Sequence, residues 1–106
     1  MTRRAVLICP GRGTYNAPEL GYLKQHSPRF DAEFNGFDTQ RAALGQSAIT
    51  TLDAAEKFDP NVYTRGDNAS CLIYVSAYCD GSSLADDIEV VAVTGNSMGW
   101  YIAMAL

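Results

Sequence analysis

Ser97 lies between two glycines in the pentapeptide Gly95-Asn96-Ser97-Met98-Gly99. A G-x-S-x-G segment placed after a strand and before a helix lifts a serine hydroxyl out of the backbone, where it can attack an acyl carbonyl. The flanking residues predict that setting: an apolar run from Ile88 to Thr94 precedes it, and a helix-like stretch from Trp100 to Leu106 follows. A side chain at Gly95 or Gly99 would collide with the neighbouring strand or helix in so tight a turn. Ser97 would then stand at a helix amino terminus, where backbone N–H groups favour developing negative charge. The N–H of Met98 is a natural oxyanion donor, and the loop Gly11-Arg12-Gly13 is a second source. The bland alternative is a strand-to-helix turn in which Ser97 is only an N-cap. A neutral serine also needs a base. The sole histidine, His26, falls near the end of a predicted helix and reads as a surface or helix-end residue.

The elements that must position this serine are legible along the chain. Ala5-Val6-Leu7-Ile8-Cys9 is a continuous apolar run stopped by Pro10-Gly11, the pattern of a parallel-sheet strand buried on both faces. Asn16 and Glu19 form a capping pair for a first helix, with Leu20 and Leu23 facing inward and Ser27-Pro28 ending it. A second helix starts at Ser27-Pro28 and carries Phe30, Phe34 and Phe37 at helical spacing to about Gly45. These aromatics read as core rather than as a ligand site. A third helix spans Thr51 to Phe58, closed by Asp59-Pro60, and the stretch from Asn61 to Gly66 reads as a loop. From Asp67 a largely apolar helix runs to Gly81, and Glu89 to Val93 form the second strand. Tyr74, Tyr78 and Tyr101 read as packing residues with their hydroxyls at the edge. The result is one incomplete α/β layer, a partial parallel sheet flanked by helices.

Composition narrows the classes further. The 106 residues are 47% hydrophobic and 19% charged with a net charge of −4, which fits one small folded domain and excludes a disordered chain. An acidic balance argues against nucleic acid as a partner, because phosphate recognition concentrates Lys and Arg. Only five apolar residues, Ala5 to Cys9, follow Arg3-Arg4, too few for a secretory signal, and nothing predicts a membrane span. The expectation is a cytoplasmic protein. Cys9, Cys71 and Cys79 show no metal-binding or disulfide spacing and read as buried thiols, with no metal site.

Two motifs together resemble a family. Leu7-Ile8-Cys9-Pro10-Gly11-Arg12-Gly13-Thr14 resembles the first-strand F-P-G-Q-G-S segment of malonyl-CoA:acyl carrier protein transacylases and polyketide-type acyltransferase domains. Gly95 to Tyr101 is similar to their G-H-S-[LVM]-G-E-[YF] elbow, and the order and approximate spacing of the two motifs match. The resemblance implies the amino-terminal part of an α/β-hydrolase-like acyltransferase core. In that reading Ser97 takes a malonyl or similar acyl group from an acyl-CoA and passes it to acyl carrier protein, with no bound cofactor. It also implies that the backbone N–H groups of Met98 and Arg12 form the oxyanion hole and that Gly11, Gly13, Asn96 and Trp100 contact substrate. Arg12, Asn96 and Trp100 stand where the family has Gln, His and Glu. The family's general-base His, its carboxylate-binding Arg and its ferredoxin-like subdomain would all follow Leu106. The helix-like ending Ile102 to Leu106 has no stop signal, so the expectation is a truncated frame, inactive in isolation. The competing expectations are a serine esterase of the α/β-hydrolase or patatin type and a non-catalytic remnant or carrier-protein-binding module.

Overall fold

The computed structural model describes residues 2–11, 13–26 and 30–106. It is a mixed α/β fold in which a two-stranded parallel sheet, β1 (Arg3–Cys9) and β2 (Ile88–Gly95), is flanked by helices. Between the strands come a 3₁₀ turn (Ala17–Glu19), α1 (Tyr22–His26), α2 (Asp31–Ala43), α3 (Ile49–Asp53), α4 (Pro60–Tyr63) and α5 (Gly66–Gly81). α6 (Gly99–Ala105) follows β2. Parallel pairing needs a crossover long enough to return the chain to the same edge, and the five helices supply it.

The core forms where α5 meets the other helices and the sheet. Leu72, Ile73, Val75 and Cys79 of α5 are buried against Leu23 of α1 and Ile102 of α6. Phe34 of α2 is also buried, and Phe30 and Phe37 are partly so, as their spacing predicts. Cys9 and Cys79 are buried free thiols and Cys71 is half-buried. Burial pushes all the shifted thiols upward: Cys9 by desolvation alone, Cys71 by desolvation against the opposing charge of Arg41.

Several boundaries differ from expectation. The first helix is split into the 3₁₀ turn and α1, because the buried Asp53 at the end of α3 captures the backbone there. Its carboxylate accepts the N–H groups of Leu23 at 3.1 Å and Lys24 at 3.2 Å, and its carbonyl accepts Gly21 N–H at 2.7 Å. The Tyr15 hydroxyl donates to the same carboxylate at 2.6 Å. Burial and then this bond hold the Tyr15 phenol well above the ordinary tyrosine range. Replacing Asp53 by Ala leaves these donors without an acceptor in a dry site. A loss of about 3 kcal/mol, read from the urea midpoint, is the expected outcome. A midpoint unchanged from wild type would contradict it.

The third predicted helix is shorter, ending at Asp53, and the predicted loop beyond it contains α4. Asp59-Pro60 starts a helix instead of closing one: the Asp59 carboxylate accepts Asn61 N–H at 3.0 Å, and Pro60 occupies the first turn, where its missing N–H costs nothing. The predicted helix start at Ser27-Pro28 lies outside the described residues.

The largest correction concerns the strands. Leu7 is half-buried and Cys9 buried, but Val6 and Ile8 are 56% and 76% exposed. In β2, Val90, Val91 and Val93 are also exposed. β1 is therefore covered on the face of Ala5, Leu7 and Cys9 and open on the other, and β2 is exposed from Glu89 to Val93, with α6 packed against both strands. At the solvent end of the ladder Arg3 and Asp87 form a two-point ion pair at 2.7 and 3.0 Å, which holds the Asp87 carboxyl below its usual range.

A second tyrosine links α1 to the end of α5. The Tyr22 hydroxyl donates to Asp80 at 2.5 Å, and this bond, with burial second, pushes its phenol up to about 12. A raised phenol means that the Tyr22 contribution to stability is full below pH about 10 and disappears as the pH climbs through its folded value. Alkaline unfolding followed by tyrosinate absorbance should accordingly steepen above pH about 10. Tyr22→Phe should remove that component, and an identical profile in the variant would show that the bond carries no linkage.

Candidate functional site

The register of the sheet brings the two motifs together. β1 and β2 run in step from Arg3 opposite Ile88 to Ala5 opposite Val90; a bulge then skips Val91, so that Cys9 comes opposite Gly95. The ends of both strands, and the loops that leave them, are thus side by side. Asn96 N–H donates to the Cys9 carbonyl at 3.2 Å, extending the ladder into the turn.

The turn itself is tight. Gly99 N–H donates to the Asn96 carbonyl at 2.9 Å, and Trp100 N–H donates to the Ser97 carbonyl at 3.2 Å. Ser97 has φ +55°, the only non-glycine residue with positive φ among those described. A left-handed residue with a side chain costs roughly 1–2 kcal/mol, so the turn holds Ser97 in a conformation it would not choose. The strain has a geometric result: Ser97 is exposed at the crest of the turn while its neighbour Gly99 is buried.

The two outer glycines are required by contact. A Cβ on Gly95 would overlap the backbone of Gly99 and Trp100, and one on Gly99 would overlap the Cys9 carbonyl and come within 3.0 Å of the Pro10 oxygen. α6 therefore seats its first residue directly on the end of β1. The first loop is equally close, since a Cβ on Gly11 would lie 2.9 Å from the Asn96 carbonyl oxygen.

Of the sequence-predicted site residues, the fold gathers Gly11, Asn96, Ser97 and Met98 at one corner. Met98 is half-buried against the core, and its N–H meets no backbone acceptor among the described residues. Gly13 is exposed farther along the loop, its carbonyl accepting the Asn16 side-chain amide at 2.9 Å. Trp100 is half-exposed beside Ser97, and Tyr101 is 71% exposed, not a packing residue as its apolar neighbours predict. Tyr74 and Tyr78 stack on each other along α5. Arg12 lies outside the described residues. His26 does not join the corner; its ring sits against Tyr22, with centroids 4.4 Å apart. Among the described residues no base hydrogen-bonds to Ser97.

One residue of the corner escapes the motifs. A cavity of about 480 Å³ opens against α6, with Met98 and Tyr101 on one wall and Phe37, Arg41, Cys71 and Tyr74 on the others. Arg41 is 5% exposed. The sequence does carry a signal for it: Phe30, Phe34 and Phe37 set an inward stripe, and Arg41 occupies the next position on that stripe. A cation where a core residue belongs is the informative kind of exception.

No group of His, Cys, Asp and Glu among the described residues could hold a metal ion, and no described helix is long and apolar enough to cross a membrane. Comparison of the chain with protein-family models, with curated proteins and with solved structures finds no match.

Proposed function

We propose that Ser97 is the nucleophile of an acyltransferase that moves a malonyl or similar acyl group from coenzyme A to an acyl carrier protein, in an α/β-hydrolase-like acyltransferase core. The observation that carries this reading is the left-handed Ser97 at the crest of a strand-to-helix turn, packed through Gly99 and Gly11 against the loop that leaves β1. The P-G-x-G loop and the G-x-S-x-G turn are far apart in sequence and in contact in space, as two halves of one acyl site would need to be.

In this mechanism the Ser97 hydroxyl oxygen attacks the thioester carbonyl, and the tetrahedral oxyanion is met by the Met98 N–H and, by the family resemblance, the Arg12 N–H. Such a donor contributes about 3–4 kcal/mol to the transition state. The C–S bond breaks and coenzyme A leaves as the thiol, carrying the proton that Ser97 lost. The carrier protein's phosphopantetheine thiol then attacks the acyl-serine ester, the C–O bond breaks and the proton returns to Ser97. A base beside Ser97 must shuttle that proton, and the resemblance expects it downstream.

The test is to incubate the full-length polypeptide with malonyl-CoA, measure its intact mass, and then add acyl carrier protein in its thiol form. A malonyl adduct that forms and is discharged to the carrier supports the reading. An adduct discharged only to water, with hydrolysis of aryl esters, would move the protein to the serine esterases. The exposed His26 and the absence of a base bonded to Ser97 among the described residues favour a second reading, a non-catalytic carrier-binding module. Carrier binding with no adduct would select it.

A further inference from the structure

Among the described residues, the guanidinium of Arg41 is buried without an ion partner. Its Nε donates to the Ser47 carbonyl at 2.6 Å, one terminal nitrogen to the Asp67 carbonyl at 3.0 Å, and the other to Asn68 Oδ1 at 2.6 Å. Cys71 lines the same space as Arg41. All of these acceptors are neutral, so they fix the orientation of the group and leave its charge uncompensated. The ion pairs among the described residues are Arg3–Asp87 and Arg65–Asp67, neither of which involves Arg41.

Two carboxylates on neighbouring segments are committed elsewhere. Asp38, one helical turn back on α2, accepts Ile49 N–H at 2.6 Å and the Thr50 hydroxyl at 2.6 Å. Asp67 accepts Asn68 N–H at 3.0 Å and pairs with Arg65 at 3.3 Å. A buried cation held by carbonyls and lining an open groove is poised for an anion from outside, because an unpaired buried charge is costly. Three of the five guanidinium N–H donors are spent on the oxygens named above, and two remain.

The cavity limits what that anion can be. Phe37, Leu44, Tyr74 and Met98 give it apolar walls, and Gln40 and Gln46 add amides beside the cation. Asp67 also lines the cavity, and its negative charge nearby disfavours a bulky polyanion. We propose that this cavity is an oxyanion-binding site, anchored by Arg41, for a single carboxylate or phosphate borne on a short apolar stem. Met98 directly follows Ser97, so if the acyl-transfer reading holds, the bound anion belongs to that reaction's substrate. The oxyanion site itself does not depend on that reaction.

The experiment is a titration of the full-length polypeptide with malonate and, separately, with inorganic phosphate, followed by ¹H–¹⁵N NMR of the arginine Nε–H and the backbone amides. The expected result is saturable millimolar binding that moves the Arg41 Nε–H together with the amides of Cys71, Met98 and Tyr101. Stronger binding of malonate assigns the site to a carboxylate, and stronger binding of phosphate assigns it to a phosphate. Arg41→Lys, which keeps the charge but not the fork, should weaken either by about tenfold or more. Ser97→Ala should bind the anion as wild type does, and a wild-type protein that binds the anion but forms no acyl adduct overturns only the acyltransferase reading. Absence of saturable shifts at Arg41 from both anions in the wild-type protein overturns the oxyanion site, whatever the variants do.

Discussion

Replacing Ser97 by Ala should abolish the malonyl adduct on the full-length polypeptide, with turnover falling by a factor on the order of 10⁴ or more. The expectation follows from the chemistry: among the described residues no other hydroxyl is presented on a left-handed turn at the corner where the two loops meet. The nearest serine on α5 that lines the Arg41 cavity, Ser70, sits inside a regular helix, where nothing presents it to an acyl carbon. Intact-mass spectrometry after exposure to malonyl-CoA gives the result directly. An adduct of the same occupancy in the variant would remove Ser97 from the mechanism. Because alanine tolerates a left-handed backbone no better than serine, the fold of the turn should be little changed. The loss can therefore be read as chemistry.

The second large effect concerns the seat of that turn. Gly99→Ala places a methyl group into the carbonyl of Cys9, and neither strand end can retreat without breaking the ladder that aligns Cys9 with Gly95. Overpacking of backbone against backbone should cost about 3 kcal/mol or more, read as a fall in the urea midpoint. Gly36→Ala is the matching control. Gly36 lies on the exposed side of α2 with open space where its Cβ would be, so the same substitution there should stabilise by about 0.5–1 kcal/mol. The opposite signs of these two changes distinguish a glycine required by contact from one merely tolerated. Equal effects at both positions would mean that the close approach of α6 to β1 is not what Gly99 provides.

The sequence made the corner readable because its constraints are local. An apolar run, a pair of glycines around a serine and a helix-forming stretch force a strand, a sharp turn and a helix without reference to the rest of the molecule. The α2 stripe of Phe30, Phe34 and Phe37 was readable for the same reason. What failed to show was anything that depends on a partner distant in sequence. Val6 and Ile8 are as apolar as residues covered on both sides, and only the tertiary arrangement leaves them open to solvent. Asp59-Pro60 has the composition of a helix stop and of a helix start, and the Asp59 carboxylate decides for the start by capping α4. The split of the first helix came from Asp53, whose hydrogen bonds to Leu23 and Lys24 cross thirty positions of sequence. Arg41 was visible as a charge on an apolar stripe, but its partners, Ser47, Asp67 and Asn68, belong to segments that only the fold assembles.

The extra residue in β2 gives the strand's length a meaning separate from its composition. Val91 faces no partner in the ladder, and every position after it is displaced by one relative to β1. Shortening β2 by one paired residue after the bulge, Val93 for instance, would leave an almost equally apolar strand of good β-formers. It would also slide Gly95 past Cys9, carry the turn away from Gly11, and point alternate side chains to the other face. The location of Ser97 is thus set by counting along two strands as much as by the residues around it. An insertion or deletion within Val6–Cys9 or Ala92–Gly95 that changes this count would be read by the protein as a mutation of the corner itself.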